Sequence, residues 1–230
     1  TIGTYFPDAA QPPLSSEERD TFDRFHDLYY RRWQVGADTI NLSWLGYQVL
    51  KCPLDLWIYQ ELLVRMRPDV VIETGTKFGG SALFLASVFD HIGHGEVITI
   101  DIEPSPLRPQ HPRITYLLGS SVDSTIIAEV RARVDGKRAM VVLDSDHRAD
   151  HVHAEIVAYA PTVQESDYLI VEDTNINGHP TYAAFGPGPM EAVDRFLAGT
   201  SGFEVDERCQ RFMMTLNPRG FLRRVAATLG

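Results

Sequence analysis

From residue 68 onwards, short apolar runs alternate with stretches of helical periodicity. Asp69-Val70-Val71-Ile72-Glu73-Thr74 is nearly continuously apolar and stops at Gly75, which predicts a strand buried on both faces. Glu96–Asp101, Arg113–Leu118, Ala139–Asp144 and Asp167–Asp173 repeat that pattern. Between them, Gly79–Asp90, Asp123–Val134 and a stretch from about His147 to Ala160 predict helices. Strand, helix, strand in this rhythm implies right-handed crossovers and a parallel sheet with helices on both faces. Upstream, residues 1–14 carry Pro7, Pro12 and Pro13 and predict an extended arm. Ser15-Ser16-Glu17-Glu18 then reads as a capped helix start, with Phe22, Phe25, Leu28 and Tyr29 on one face. Leu54–Met66, opened by Pro53, predicts a second helix. Downstream, 174–189 predicts a long loop rich in Gly, Pro and Asn, and Met190–Leu197 a short helix. Phe212–Leu216 and Phe221–Val225 flank Asn217-Pro218-Arg219-Gly220 and predict a terminal β-hairpin. The expected fold is α/β, with a mostly parallel seven-stranded sheet, a C-terminal hairpin and an N-terminal helical cap. Residues 1–66 form the arm and cap, and residues 67–230 the main unit.

In an open parallel sheet, ligands bind at the carboxyl ends of the strands. The predicted strands deliver polar groups to that rim: Glu73 to Ser81, Asp101, Gly119-Ser120-Ser121, Asp144-Ser145-Asp146-His147 and Glu172-Asp173. Gly75 permits a sharp turn, and the helix after it offers free N–H groups to an anion. Gly75-Thr76-Lys77-Phe78-Gly79 lacks the central glycine of a dinucleotide loop, which points to a carboxylate rather than a pyrophosphate. Glu73 is placed to face an amino-acid ammonium, and Asp101 to accept both ribose hydroxyls. These features indicate an adenosyl cofactor. Asp144, Glu172 and Asp173 come from adjacent strand ends, where three carboxylates would repel one another unless a divalent cation such as Mg²⁺ joins them. The alternative is that these acids cap helices or pair with Arg148 or Lys77. His147 and Asp146 are both candidate general bases. His151 and His153 could instead suggest a zinc or iron site, but their i, i+2 spacing puts them on different helix faces.

Composition narrows the setting. The formal net charge is −10, which excludes nucleic acid and anionic membranes as main partners. The longest apolar runs, such as Ala82–Phe89, are far too short to span a bilayer, and no signal peptide is visible. Only Cys52 and Cys209 are present, outside any CxxC pair, so a reducing cytoplasmic location is expected. Trp33, Trp44, Trp57, Tyr29 and Tyr30 are candidates for an acceptor pocket, against the more ordinary reading as core or oligomer contacts.

The segments Glu73 to Ser81, Leu143 to His147 and Val171-Glu172-Asp173, with Leu50-Lys51-Cys52-Pro53-Leu54-Asp55-Leu56-Trp57 as lead-in, resemble the cephalosporin hydroxylase-type methyltransferases. That family is similar to macrolide and aminocoumarin sugar O-methyltransferases, and the resemblance runs from about residue 40 to Val225. It implies a Rossmann-like class I fold and methyl transfer from S-adenosylmethionine to a small-molecule hydroxyl, on a sugar or a glycosylated or polyketide natural product. It implies that Gly75, Gly79 and Ser81 hold the methionine end of the cofactor, and Glu73, Thr76 and Lys77 of the same turn are expected to bind the cofactor with them. Asp101 would hold the ribose, and Gly119, Ser120 and Ser121 would lie near the adenine. Asp144 borders the cofactor and, with Glu172 and Asp173, falls on the Mg²⁺ positions. His147 and Asp146 each match a base position in one branch, so the choice stays open. Ser145 departs from members with a second acid there. A homo-oligomer is implied by resemblance alone. Two rivals remain, a metal-dependent oxygenase and a non-catalytic cofactor-binding subunit.

Overall fold

The computed structural model of the protein describes residues 6–34 and 42–226. Residues 1–5 of the expected arm and the side chain of Trp33 lie outside the described residues. Helix α1 (Ser16–Gln34) starts as its sequence demands: the Glu18 carboxylate accepts from the Ser15 N–H (2.9 Å) and hydroxyl (2.7 Å). A two-residue ribbon, β1 (Ser43–Trp44) and β2 (Tyr47–Gln48), leads to α2 (Pro53–Met66), whose proline occupies the first turn where no donor is needed.

The main body then alternates β3 (Val70–Thr74), α3 (Gly80–Ile92), β4 (Glu96–Asp101), β5 (Ile114–Leu118) and α4 (Ser124–Val134). It continues with β6 (Ala139–Leu143), α5 (Ala149–Tyr159), β7 (Tyr168–Val171), α6 (Pro189–Ala198), β8 (Phe203–Val205) and β9 (Phe221–Arg224). The seven-stranded sheet has the order β5-β4-β3-β6-β7-β9-β8. Its pairings are parallel except those of β9, which runs antiparallel to both neighbours. Alternate strand residues feed two cores. Ile72, Ile98 and Val141 meet Val130, Ile156 and Val193 of α4, α5 and α6 on one face. Val71, Val97 and Val142 meet Leu62, Leu63 and Phe89 of α2 and α3 on the other. Strands β3 and β6 are buried at every position, which explains why their sequences run apolar without alternation.

One boundary differs from expectation. The antiparallel C-terminal pair is there, but β9 pairs with Phe203–Val205 and not with Phe212–Leu216. The edge of β9 that a 212–216 hairpin would need is occupied by β7. Residues 214–217 are buried consecutively, in irregular backbone under α2, where Asp55 accepts from the Leu216 N–H (2.9 Å). A strand at a sheet edge would have alternated.

Asp55 sits in that seam almost without solvent, and burial, then the charge of Glu172, pushes its pKa up to about 8. Its folded pKa lies above the unfolded value, so the stability it contributes is present below the unfolded value and lost as pH rises through about 8. Asp55→Asn keeps the acceptor for Leu216 and cannot ionise. Between pH 7 and 9.5, the melting temperature of the wild type should fall further than that of Asp55→Asn. Parallel curves from calorimetric melting would contradict this assignment.

Candidate active site

The carboxyl ends of β3 to β7 open onto a cavity of about 680 Å³, a size suited to a nucleoside-bearing small molecule. Of the residues expected to hold a cofactor, Gly75, Thr76, Lys77, Gly79, Ser81, Asp101, Gly119, Ser120, Ser121 and Asp144 line it. The β3–α3 turn is shaped by its glycines. Gly75 has φ 83°, and a Cβ there would run into the Asp144 carbonyl. Gly79 has φ 77° and caps α3, and a Cβ there would meet Pro109. The Thr76 hydroxyl is bonded to that of Thr99 (2.7 Å), which pins the turn to β4.

Asp101 is held at the mouth of this turn. It accepts from the backbone N–H groups of Lys77 (2.7 Å) and Glu103 (2.9 Å) and from the Arg108 guanidinium (2.9 Å). Lys77 and Arg108 share Oδ2, while Oδ1 accepts from Glu103 and keeps a second lone pair for a ligand hydroxyl. Arg108 also donates to the Lys77 carbonyl (3.0 Å), so one arginine ties both sides of the cleft. No local motif marks this residue in the sequence.

Glu73 departs from its expected role. It is fully buried beneath the cavity and absent from the lining, and it accepts from Ser81 (2.5 Å) and Thr99 (2.7 Å) through separate oxygens. Burial pushes its pKa up, opposed by Lys51 and these two hydroxyls. Glu73 therefore orients Ser81 and the floor of the turn from below the cavity. Its side chain alternates inward from a strand whose ends alone reach the rim.

The acids gather where β6 and β7 end, but not as the trio expected. Asp144, His147 and Asp173 each offer a ligand atom, all within 4.8 Å of one another. Glu172 lies outside the 4.8 Å group but on the same ammonium as Asp144. It accepts from the Tyr59 hydroxyl and from the Lys51 ammonium (2.9 Å), which is also bonded to Asp144. The partner of the acids is thus Lys51, not Arg148 or Lys77. Burial would lower the Lys51 pKa, but Asp144, Glu172 and Glu73 outweigh it and hold it above the ordinary lysine range. Burial raises the Asp144 pKa, opposed by Lys51 and reinforced by Glu172 and Asp173. Asn217 braces the far side: its carbonyl accepts from the Asp173 N–H (2.9 Å) and its amide donates to Tyr59 (3.0 Å). Lys51, Tyr59 and Asn217 escape sequence reasoning because they reach the site from outside the strand tips.

A divalent ion fits this donor set. Asp173 Oδ1 is buried and has no hydrogen-bond partner, an expensive state unless a cation completes it. The hard carboxylate oxygens of Asp144 and Asp173 suit Mg²⁺ or a similar ion.

The two base candidates separate. Asp146 is clamped by the Arg148 guanidinium and accepts from the Arg148 N–H (2.9 Å), which holds its carboxyl down to about 2. His147 Nε2 lies 3.2 Å from Asp173 Oδ2. With Nε2–H donated to Asp173, Nδ1 keeps the lone pair a base requires. His151 contacts Ser121 (3.3 Å) and Ser145 (3.1 Å) and lies beside Glu155, with no place in the acid group. The Ser145 hydroxyl donates to Glu155 (2.7 Å) and so points away from the acids. Trp44 packs on Phe84 and Trp57 bonds Glu61 at the surface, so neither lines the cavity. Tyr30 packs with Ile176, Met214 and Leu216 in a small core under the 174–189 loop.

Sheet order, the lone antiparallel β9 and the glycine turn after β3 together define a class I methyltransferase fold. The family described as Rhamnosyl O-methyltransferase/CmcI matches residues 38–225. The chain belongs to that family, and so to the O-methyltransferases. It is 39% identical over 204 residues to the rhamnosyl O-methyltransferase of Mycobacterium leprae (strain TN), covering 85% of this chain and 89% of that protein. Among solved structures, CmcI with Mg and SAM superposes with a TM-score of 0.63 at 21% identity, over 96% of this chain and 89% of that one. The MycE methyltransferase of mycinamycin biosynthesis, in complex with Mg, SAH and mycinamycin VI, gives 0.55 at 16%, over 76% of this chain and 49% of that one. These two likenesses concern the fold. Among the described residues no helix is long and apolar enough to cross a membrane.

Proposed function

We propose that this protein is an S-adenosylmethionine- and Mg²⁺-dependent O-methyltransferase acting on a hydroxyl of a sugar, a rhamnosyl group first among candidates. The observation that carries the reading is the cavity itself. One wall is the glycine turn with Asp101, and the opposite wall is the Asp144–His147–Asp173 group with its unpartnered oxygen. The rhamnosyl assignment is supported by the names of the curated relatives. Residues 67–230 are proposed as the cofactor-binding unit, with residues 1–66 as arm and cap.

When bound, the cofactor supplies an electrophilic methyl group and the metal ion supplies Lewis-acid stabilisation of an oxyanion. The chain does the rest. Free N–H groups at the start of α3 hold the cofactor carboxylate, and Asp101, fixed by Arg108, holds the ribose. Gly119, Ser120 and Ser121 border the adenine. Asp144 and Asp173 hold the ion. His147, oriented by Asp173, takes the proton of the acceptor hydroxyl at Nδ1. Orientation of the acceptor within the cavity supplies much of the remaining rate. The oxygenase alternative needs two histidines with a carboxylate, and the acid group holds only His147.

The test is turnover with S-adenosylmethionine, Mg²⁺ and a rhamnosyl glycoside, read as S-adenosylhomocysteine and a mass gain of one methylene on the sugar. The expected result is turnover that stops with EDTA and returns with Mg²⁺. Methylation unaffected by EDTA overturns the metal reading. Absence of S-adenosylmethionine binding by calorimetry overturns the whole.

A further inference from the structure

We propose that Lys51 is a resident cation of the acid nest, one that keeps the nest in shape before the divalent ion arrives and weakens the hold on that ion once it is bound. This rests on the metal reading above.

Lys51 stands two residues before α2 and is 2% exposed. Among the described residues no other lysine is buried. Its ammonium reaches 93 positions along the chain to Asp144 and also contacts Glu172, with Glu73 beyond them. Five carboxyl groups, those of Asp55, Glu73, Asp144, Glu172 and Asp173, stand in one electrostatic cluster with this single ammonium. Stripping water from an ammonium costs several kcal/mol unless paired. Here the pairing is bought from Asp144, the same carboxylate that offers a ligand atom to the group with His147 and Asp173. Two positive charges must then share one carboxylate at close range, where a unit charge counts for far more than in water.

Two consequences follow. Without metal, Lys51 relieves the mutual repulsion of Asp144 and Glu172, so the strand ends keep their geometry. With metal, the ammonium opposes the second cation and makes its binding looser and more exchangeable. A lysine with a merely structural role would give the first effect and not the second.

The experiment compares the wild type with Lys51→Met and Lys51→Arg, each as the complex with S-adenosylhomocysteine. Mg²⁺ affinity is read by titration calorimetry and stability by melting with and without Mg²⁺. Lys51→Met is expected to melt lower without Mg²⁺ and to bind Mg²⁺ at least about tenfold more tightly than wild type, so that saturating Mg²⁺ narrows the gap in melting temperature. Lys51→Arg, which keeps the charge, should bind Mg²⁺ within about threefold of wild type. If Lys51→Met folds only with Mg²⁺ present, Lys51→Gln is titrated in its place with the same expectation. Unchanged or weaker Mg²⁺ binding in the neutral variants overturns this inference alone. No Mg²⁺ binding by the wild-type complex overturns the metal reading and this inference with it.

Discussion

Asp144→Ala is expected to lower kcat/KM for methyl transfer at least about 1,000-fold, with added Mg²⁺ unable to restore it. Two functions end together in this change. The carboxylate offers an atom to the group with His147 and Asp173. It is one of the two acids bonded to Lys51. The Asp144 backbone N–H donates to the Thr74 carbonyl (3.1 Å) beside the Gly75 turn, so the main chain stays in place when the side chain is lost. The loss should therefore be one of metal binding and rate, with S-adenosylhomocysteine binding preserved within about tenfold, since the glycine turn and Asp101 are untouched. Steady-state kinetics beside cofactor titration checks both halves. Activity within tenfold of wild type would remove Asp144 from the chemistry.

The second large effect separates the two bases. His147→Ala should lower kcat by roughly 100- to 10,000-fold, the usual range for a general base, while Asp146→Asn should cost less than about fivefold. The difference lies in what each group is bonded to. Asp146 is neutralised by Arg148 and held down to about 2, too acidic to take a proton from a hydroxyl. His147 stands against Asp173, an arrangement that fixes its ring. Steady-state kinetics of the two variants side by side should show the large loss in His147→Ala and the small one in Asp146→Asn. The reverse pattern would assign the base to Asp146.

Much of this was legible from residue order. The buried strands announce themselves because parallel strands covered on both faces carry apolar residues without alternation, and the polar residue that ends each run lands on the rim. Gly75, Asp101, Asp144 and Asp173 all reach the cavity rim in this way. What escaped obeys no local rule. Strand β8 is three residues long, too short for a pattern, whereas the apolar run at 212–216 is longer and lies in irregular backbone. Glu73 looked like a rim residue because it neighbours Thr74 and Gly75, but strand alternation turns it to the floor. Glu172 and Asp173 are adjacent in sequence, but β7 ends at Val171 and the backbone turns at Asp173 (φ 55°), which separates their side chains. Lys51 and Asn217 meet the acids across long loops of chain, and only the fold brings them there.

The proposed cation position lies between Asp144 and Asp173 at the edge of the cofactor cavity. Crystals grown with S-adenosylhomocysteine and Mn²⁺, measured at the manganese absorption edge, locate it directly. The account predicts an anomalous peak roughly 2.2 Å from carboxylate oxygens of both aspartates, with the Lys51 ammonium still on Asp144. A peak bound elsewhere, or a lysine ammonium filling that position with no metal at saturating Mn²⁺, would contradict it.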